Sequence, residues 1–136
     1  MRGYQLVSGS SGVYQAEEAR ISQGVVESNH TGYSGTGFVN LTNTAGSYAE
    51  WTVQAGAAAG ATLDLRYANG TTVDRPMDIT VNGTRIATGR PFPPTANWDT
   101  WATASLPIAL KAGANTIRAT STTADGGPNL DRITIR

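Results

Sequence analysis

The sequence predicts an all-β fold, a sandwich of two antiparallel sheets, on three observations. Among 136 residues there are 16 Gly but only two Met and two Phe, the composition of short strands joined by frequent turns. From Val13 onward the apolar residues recur with period two or in short runs, not with helical spacing. Turn residues interrupt that pattern about as often as a sandwich requires.

Short apolar runs bounded by turn residues place strands at residues 14–19, 22–27 and 37–41. The next three strands, at 48–53, 61–67 and 77–81, alternate. Trp51 and Val53 share one face, as do Leu63, Leu65 and Tyr67, and Ile79 with Val81, while polar residues lie between them. Those faces are the expected core. Residues 55–61 form a small-residue loop after the Trp51 strand. Val81-Asn82-Gly83-Thr84 places Asn-Gly at the centre of a two-residue hairpin, because both central positions of that turn need φ > 0. A strand at 85–87 follows it. Strands at 100–110 and 115–120 flank a looser turn at Lys111-Ala112-Gly113-Ala114-Asn115, and residues 129–136 close the chain.

Length fits one domain over residues 13–136, since two domains from such a chain would each be marginal. Residues 1–12 hold the tract Ser8-Gly9-Ser10-Ser11-Gly12 and read as a flexible linker or an expression remnant. They contain no apolar run long enough for a signal-peptide core, and no stretch of the chain is apolar enough to span a bilayer. Ten basic and ten acidic side chains balance, which leaves no field to draw in nucleic acid or an anionic membrane surface. The absence of Cys removes disulfides and thiolate metal sites, and leaves the redox compartment undecided.

Catalytic signals are thin. The single His30 sits in the turn-like Ser28-Asn29-His30-Thr31-Gly32, and there is no Gly-x-Ser-x-Gly elbow, phosphate-cradling loop or metal-spaced His pair. Paired-carboxylate chemistry needs two acids flanking a cleft, and the few acids here mostly adjoin strand ends. Oxygen-rich positions are more suggestive. Gln15 and Glu17, two apart on an expected strand, project from one face and offer two oxygens to a hard cation such as calcium. Carbonyls of Gly32-Tyr33-Ser34-Gly35-Thr36-Gly37 and the Asp131 carboxylate would complete such a site; the alternative is that Glu17 and Glu18 simply face solvent. Trp98 and Trp101 flank Asp99 after the Pro-rich Pro91-Phe92-Pro93-Pro94. A loop Trp beside Asn and Asp suits sugar recognition, its flat face matching the C–H face of a pyranose, though Trp98 fits a core position equally well. Trp101, inside its expected strand, is assigned to the core.

Taken in order, several segments resemble carbohydrate-binding module family 35 and, more distantly, family 6. They are Tyr14-Gln15-Ala16-Glu17-Glu18-Ala19, Gly32-Tyr33-Ser34-Gly35-Thr36-Gly37-Phe38-Val39, Tyr48-Ala49-Glu50-Trp51-Thr52-Val53 and Leu65-Arg66-Tyr67-Ala68-Asn69-Gly70. Val81-Asn82-Gly83, Trp98-Asp99-Thr100-Trp101 and Gly126-Gly127-Pro128-Asn129-Leu130-Asp131-Arg132-Ile133 complete the set. The resemblance implies a β-sandwich of jelly-roll type with a structural Ca2+ near the chain ends. Its metal ligands would be Gln15, Glu17 and Asp131 through side chains and Ser34 and Gly37 through carbonyls. It also implies a ligand cleft at Tyr33, Asn69, Arg75, Trp98 and Asn129. Some similar modules bind uronic acids with a second calcium in the cleft, whose ligands the sequence does not specify, although Asn29, His30 and Asp125 lie on loops that reach toward it. Others bind galactose or mannose units.

The resemblance thus implies a secreted, extracellular, non-catalytic and monomeric module that binds the chain ends of a polysaccharide. It would target a parent glycoside hydrolase, lyase or esterase to its substrate, with a terminal glucuronic or galacturonic acid as the expected sugar. Arg75 is the candidate partner for the sugar carboxylate, since a guanidinium grips one bidentately; a surface ion pair with Asp74 is the competing role. A stand-alone lyase or esterase, and a structural or adhesive domain whose calcium serves folding alone, remain alternatives.

Overall fold

The computed structural model describes residues 12–136. In chain order the elements are β1 (Gly12–Gln15), a 3-10 turn (Ala16–Glu18), β2 (Arg20–Ser22), β3 (Gly24–Glu27), β4 (Phe38–Leu41), β5 (Tyr48–Ala55) and β6 (Ala59–Ala68). They continue with β7 (Met77–Val81), β8 (Thr84–Arg90), β9 (Ala102–Leu110), β10 (Gly113–Ser121) and β11 (Asn129–Ile135). The linker expected over residues 1–12 lies outside the described residues except for Gly12, which β1 takes up by pairing with Ile135.

Two antiparallel sheets face each other, as expected. One has the order β3-β4-β11-β6-β9, with β1 also on β11; the other runs β2-β5-β10-β7-β8. The alternating faces read from the sequence are the core: Trp51, Val53, Leu63, Leu65, Tyr67, Ile79 and Val81 are all buried. They meet Ile117, Leu130, Ile133 and Ile135 from β10 and β11. Each such side chain withdrawn from water contributes about 1.5 to 3 kcal/mol, which makes this interface the main source of stability. The Asn-Gly hairpin is present, with Asn82 at φ 51° and Gly83 at φ 82°, and the Asn82 side chain bonds both Asn115 and the Thr116 backbone N–H.

Two expected strands divide where the chain changes sheet. The segment 14–19 ends as a strand at Gln15, and the 3-10 turn Ala16–Glu18, closed by Ala19 N–H donating to the Ala16 carbonyl at 3.0 Å, carries the chain from β1 across to β2. The segment 22–27 breaks at Gln23, whose φ of 61° no extended strand accommodates, and the chain returns to the first sheet as β3. A third correction concerns Trp101. It precedes β9, is only half-buried, and donates its indole N–H to the Thr31 carbonyl at 2.8 Å. The tryptophan of the core is Trp51.

β11 positions the site. Its one edge is shared end to end by two strands: β4 pairs at Leu130 and β1 along residues 132–135. Where the two meet, β11 has a register shift between Leu130 and Arg132. Asp131 sits in that irregularity, fully buried.

Candidate functional site

Residues 28–37 connect β3 to β4 and hold together two clusters of polar side chains. The first cluster lies at the β1–β4 junction. Gln15 reaches it from the end of β1 and Glu17 from the 3-10 turn, not from one face of a single strand as expected. Ser34 Oγ donates to Gln15 Oε1 at 3.0 Å and to Asp131 Oδ2 at 2.9 Å, and Ser34 N–H donates to Asp131 Oδ1 at 2.7 Å. Thr36 N–H donates to Glu17 Oε2 at 2.8 Å. Arg66 Nη1 bridges from Asp131 Oδ2 to the Gly32 carbonyl, both at 2.8 Å. Gly37 is buried against the backbone of Glu27 at the foot of β4.

Apart from the Arg66 guanidinium, which already pairs with Asp131, the side chains named here offer oxygens, from one amide, one hydroxyl and two carboxylates, which is the chemistry of a hard cation. No group of three or more His, Cys, Asp or Glu side chains placed to hold a metal occurs among the described residues, so any cation here needs backbone or amide oxygens as well. Glu17 Oε1 is buried without a hydrogen-bond partner. An orphaned carboxylate oxygen is costly to bury, and a hard cation bound beside it would satisfy it.

Glycine is required at position 35. Its φ is +66°, and a Cβ there would fall 2.1 Å from Glu17 Oε2. Gly35→Ala should therefore cost about 1 to 3 kcal/mol in backbone strain, with displacement of Glu17 in addition. Gly46→Ala is the control, since Gly46 also has positive φ (+96°) but nothing within 4 Å of its Cβ position. In urea unfolding the first variant should lose clearly more stability than the second; equal losses would mean that the close approach to Glu17 has no structural weight.

The second cluster lines a cavity of about 280 Å³ formed by Glu27, Asn29, His30, Asn40, Asn43, Arg75, Trp98 and Asn129. Three of the five residues expected at a cleft, Arg75, Trp98 and Asn129, come together here. Trp98 lies on its loop and is half-buried, between the ligand-facing and core positions that the sequence left open. A Cβ on Gly70 would meet its indole at 2.5 Å, so Gly70 lets the ring pack against the backbone. The Arg75 guanidinium lies 5.5 Å from the centre of the Trp98 ring, and the His30 ring lies 6.2 Å from that of Trp98. His30 in turn lies 3.5 Å from Asp99, whose carboxyl is held below its usual range mainly by the Thr31 N–H.

Arg75 does not pair with Asp74, whose carboxylate instead accepts the Phe92 N–H at 2.6 Å. Arg75 Nη1 donates to the Gly127 carbonyl at 3.1 Å, and its Nε is buried with no partner. Burial lowers its pKa, and the nearby Asp125 partly offsets this. The guanidinium remains charged at neutral pH all the same.

Asn69 and Tyr33 are placed elsewhere. Asn69 is fully buried, and its amide is spent on the Val73 and Phe92 carbonyls and on Thr71; it braces the loops behind Trp98, with no group left for a ligand. Tyr33 packs its ring on Phe38 at 5.8 Å and lies outside the cavity lining. Glu27, Asn40 and Asn43, which no motif marked, do line it, and Asn40 donates to Glu27 at 2.9 Å.

The family model described as carbohydrate binding module (family 6) matches residues 15–136. The chain is 54% identical over 122 residues to an exo-beta-D-glucosaminidase of Amycolatopsis orientalis, covering 90% of this chain and 12% of that protein. It is 36% identical over 113 residues to endo-1,4-beta-xylanase B of Cellvibrio japonicus, covering 82% and 19%. The chain thus spans less than a fifth of the length of these curated relatives. A solved family 35 carbohydrate binding module from Clostridium thermocellum superposes with a TM-score of 0.90 at 44% identity, covering 93% of this chain and 97% of that one. Another, Xyl-CBM35 in complex with a glucuronic acid containing disaccharide, gives 0.82 at 34% identity, with 91% of each chain covered.

Proposed function

This chain belongs to carbohydrate-binding module family 35, related to family 6, and from that membership we propose that its cavity holds the terminal uronic acid of a polysaccharide chain. The observation that carries the reading is Arg75. It is a partly buried cation at a cavity wall, with no carboxylate in ion-pair contact among the described residues. A sugar carboxylate satisfies it where a neutral hydroxyl does not, because the planar guanidinium donates two parallel bonds to a carboxylate. Trp98 then presents an apolar wall to the pyranose, and the amides of Asn129 and Asn40 take its hydroxyls. The glucuronic acid found with the solved neighbour supports the same choice.

Calcium enters the proposal at two places. Gln15, Glu17, Asp131 and the backbone near Ser34 and Gly37 would hold a structural ion, which would supply a positive charge to the orphaned Glu17 carboxylate oxygen. In the cavity, Glu27 and the side-chain oxygens of Asn29, Asn40 and Asn43 are the candidate ligands for a second ion that would help meet the sugar carboxylate.

The relatives are many times longer than this chain, so the module serves a secreted glycan-active enzyme by tethering, which raises the local concentration of enzyme on its substrate. It acts as a monomer and turns over nothing itself. Titration calorimetry in millimolar calcium with glucuronic and galacturonic acid against glucose, xylose, galactose and mannose tests this. The acids should bind with Kd between about micromolar and millimolar, roughly 4 to 8 kcal/mol, and the neutral sugars at least about tenfold more weakly. Equal or stronger binding of galactose or mannose would replace the uronate reading by the neutral one. Release of reducing ends or unsaturated products from a polysaccharide panel would end the binding-only reading.

A further inference from the structure

We infer that the cavity continues into a second sugar subsite along the β3–β4 edge, which takes the neutral unit to which the terminal uronate is linked; this rests on the uronate reading above. A second hollow, also of about 280 Å³, is lined by Gly24, Val25, Asn40, Leu41, Thr42 and Asn43. Asn40 and Asn43 line both hollows, so the two adjoin, with these side chains between them. Each alone falls just short of the roughly 300 Å³ at which ligand pockets begin. Joined, they suit a ligand longer than one ring.

Strand register explains why the hollows adjoin. Val25 and Asn40 are directly paired across β3 and β4 and so share a face of the sheet. On the other side of β4, pairing of Val39 with Leu130 brings Asn40 beside Asn129. A row of side chains therefore runs from Asn129 in the first hollow, through Asn40, to Val25 at the edge. The segment 122–128 fixes the shared wall at both ends. Gly126, at φ +80°, lets the backbone press on Asn43, where a Cβ would fall 2.8 Å from its Cα, and the Gly127 carbonyl accepts from Arg75.

Charge distinguishes the two hollows. The first holds Glu27, His30 and Arg75, whereas the second has no titratable side chain. A neutral aldose matches it. Val25 is 55% exposed, an apolar side chain on an edge strand against which the C–H face of a sugar can rest. Neither the Thr42 hydroxyl nor the Asn43 side-chain NH2 has a hydrogen-bond partner among the described residues, which leaves both for sugar hydroxyls.

The test compares glucuronic acid with glucuronosyl-xylose by calorimetry, on the wild-type chain and on the Val25→Ala/Thr42→Ala double variant, with amide chemical shifts followed on the wild type. Val25 and Thr42 are exposed and lie outside the first hollow, so the variant should fold and bind the monosaccharide unchanged. The wild type should bind the disaccharide about tenfold tighter than the monosaccharide, which corresponds to about 1.4 kcal/mol. The variant should lose that difference, and the amides of Val25 and Thr42 should shift with the disaccharide only. Binding of glucuronic acid with no gain for the disaccharide, or a gain that survives the double substitution without shifts at Val25 and Thr42, overturns the second subsite and leaves the uronate reading standing. No binding of either sugar overturns both.

Discussion

Arg75→Ala is expected to remove almost all measurable affinity for glucuronic acid while leaving the fold intact. Truncating one partner of a hydrogen-bonded charge pair costs about 2 to 5 kcal/mol. The lower half of that range, about 2 to 3 kcal/mol or roughly 30- to 150-fold, suits a cavity that is open to solvent on one side. From a starting Kd between micromolar and millimolar, most of the signal disappears. Stability should hardly fall, because the Arg75 side chain makes one hydrogen bond among the described residues, to the Gly127 carbonyl, and leaves its Nε buried and unpartnered; removing that orphan offsets the loss of the bond. Arg75→Lys separates charge from geometry. It keeps the cation but not the planar fork, and should recover only part of the affinity. Calorimetry with the wild type, Arg75→Ala and Arg75→Lys reads this directly, and undiminished affinity in Arg75→Ala would remove Arg75 from the site.

Calcium should raise the melting temperature substantially, and Glu17→Ala should abolish the rise. A ligand that binds only the folded chain stabilises it by about 2.7 kcal/mol at a hundredfold excess over its Kd, which for a domain of this size is on the order of 10 °C. The sign for Glu17→Ala depends on the metal. With chelator present, the substitution gives up the hydrogen bond from Thr36 N–H but also removes an unpartnered buried oxygen, so little net change is expected. In millimolar calcium the same substitution removes a ligand, and the variant should melt well below the wild type. Calorimetric scans of both proteins in both conditions suffice. Identical melting of the wild type in chelator and in calcium would argue against the site whatever the variant does.

The core was readable from local pattern alone, because one buried face of a sheet forces a period of two. Trp51 with Val53, and Leu63 with Leu65 and Tyr67, needed no knowledge of their partners. The Asn82-Gly83 turn was readable for the same reason, since its demand for positive φ is met within two residues. Sheet changes were not readable. Gln23 carries no residue signal for its φ of 61°, and the 3-10 turn at Ala16–Glu18 arises because β1 ends in one sheet while β2 begins in the other. The site divides along the same line. Gln15, Glu17, Arg75, Trp98 and Asn129 could be named as candidates from their segments, whereas Glu27 and Asn40 enter the cavity only because β3, β4 and β11 lie side by side, a long-range pairing that their sequence neighbours do not encode. Asn69 was misread for the converse reason. A loop asparagine offers an amide to a ligand or to its own loop with equal ease, and only the fold shows that the Val73 and Phe92 carbonyls and Thr71 use it up.

A crystal structure of the chain grown with glucuronic acid and calcium tests the central claim most directly. The account predicts the sugar carboxylate about 2.7 to 2.9 Å from the Arg75 guanidinium nitrogens, the pyranose against Trp98, hydroxyls on Asn129 or Asn40, and the anomeric oxygen directed toward Asn43 and the β3–β4 edge. A sugar bound with its carboxylate in solvent and away from Arg75, or seated on the outer face of the β2-β5-β10-β7-β8 sheet with the cavity empty, would contradict it.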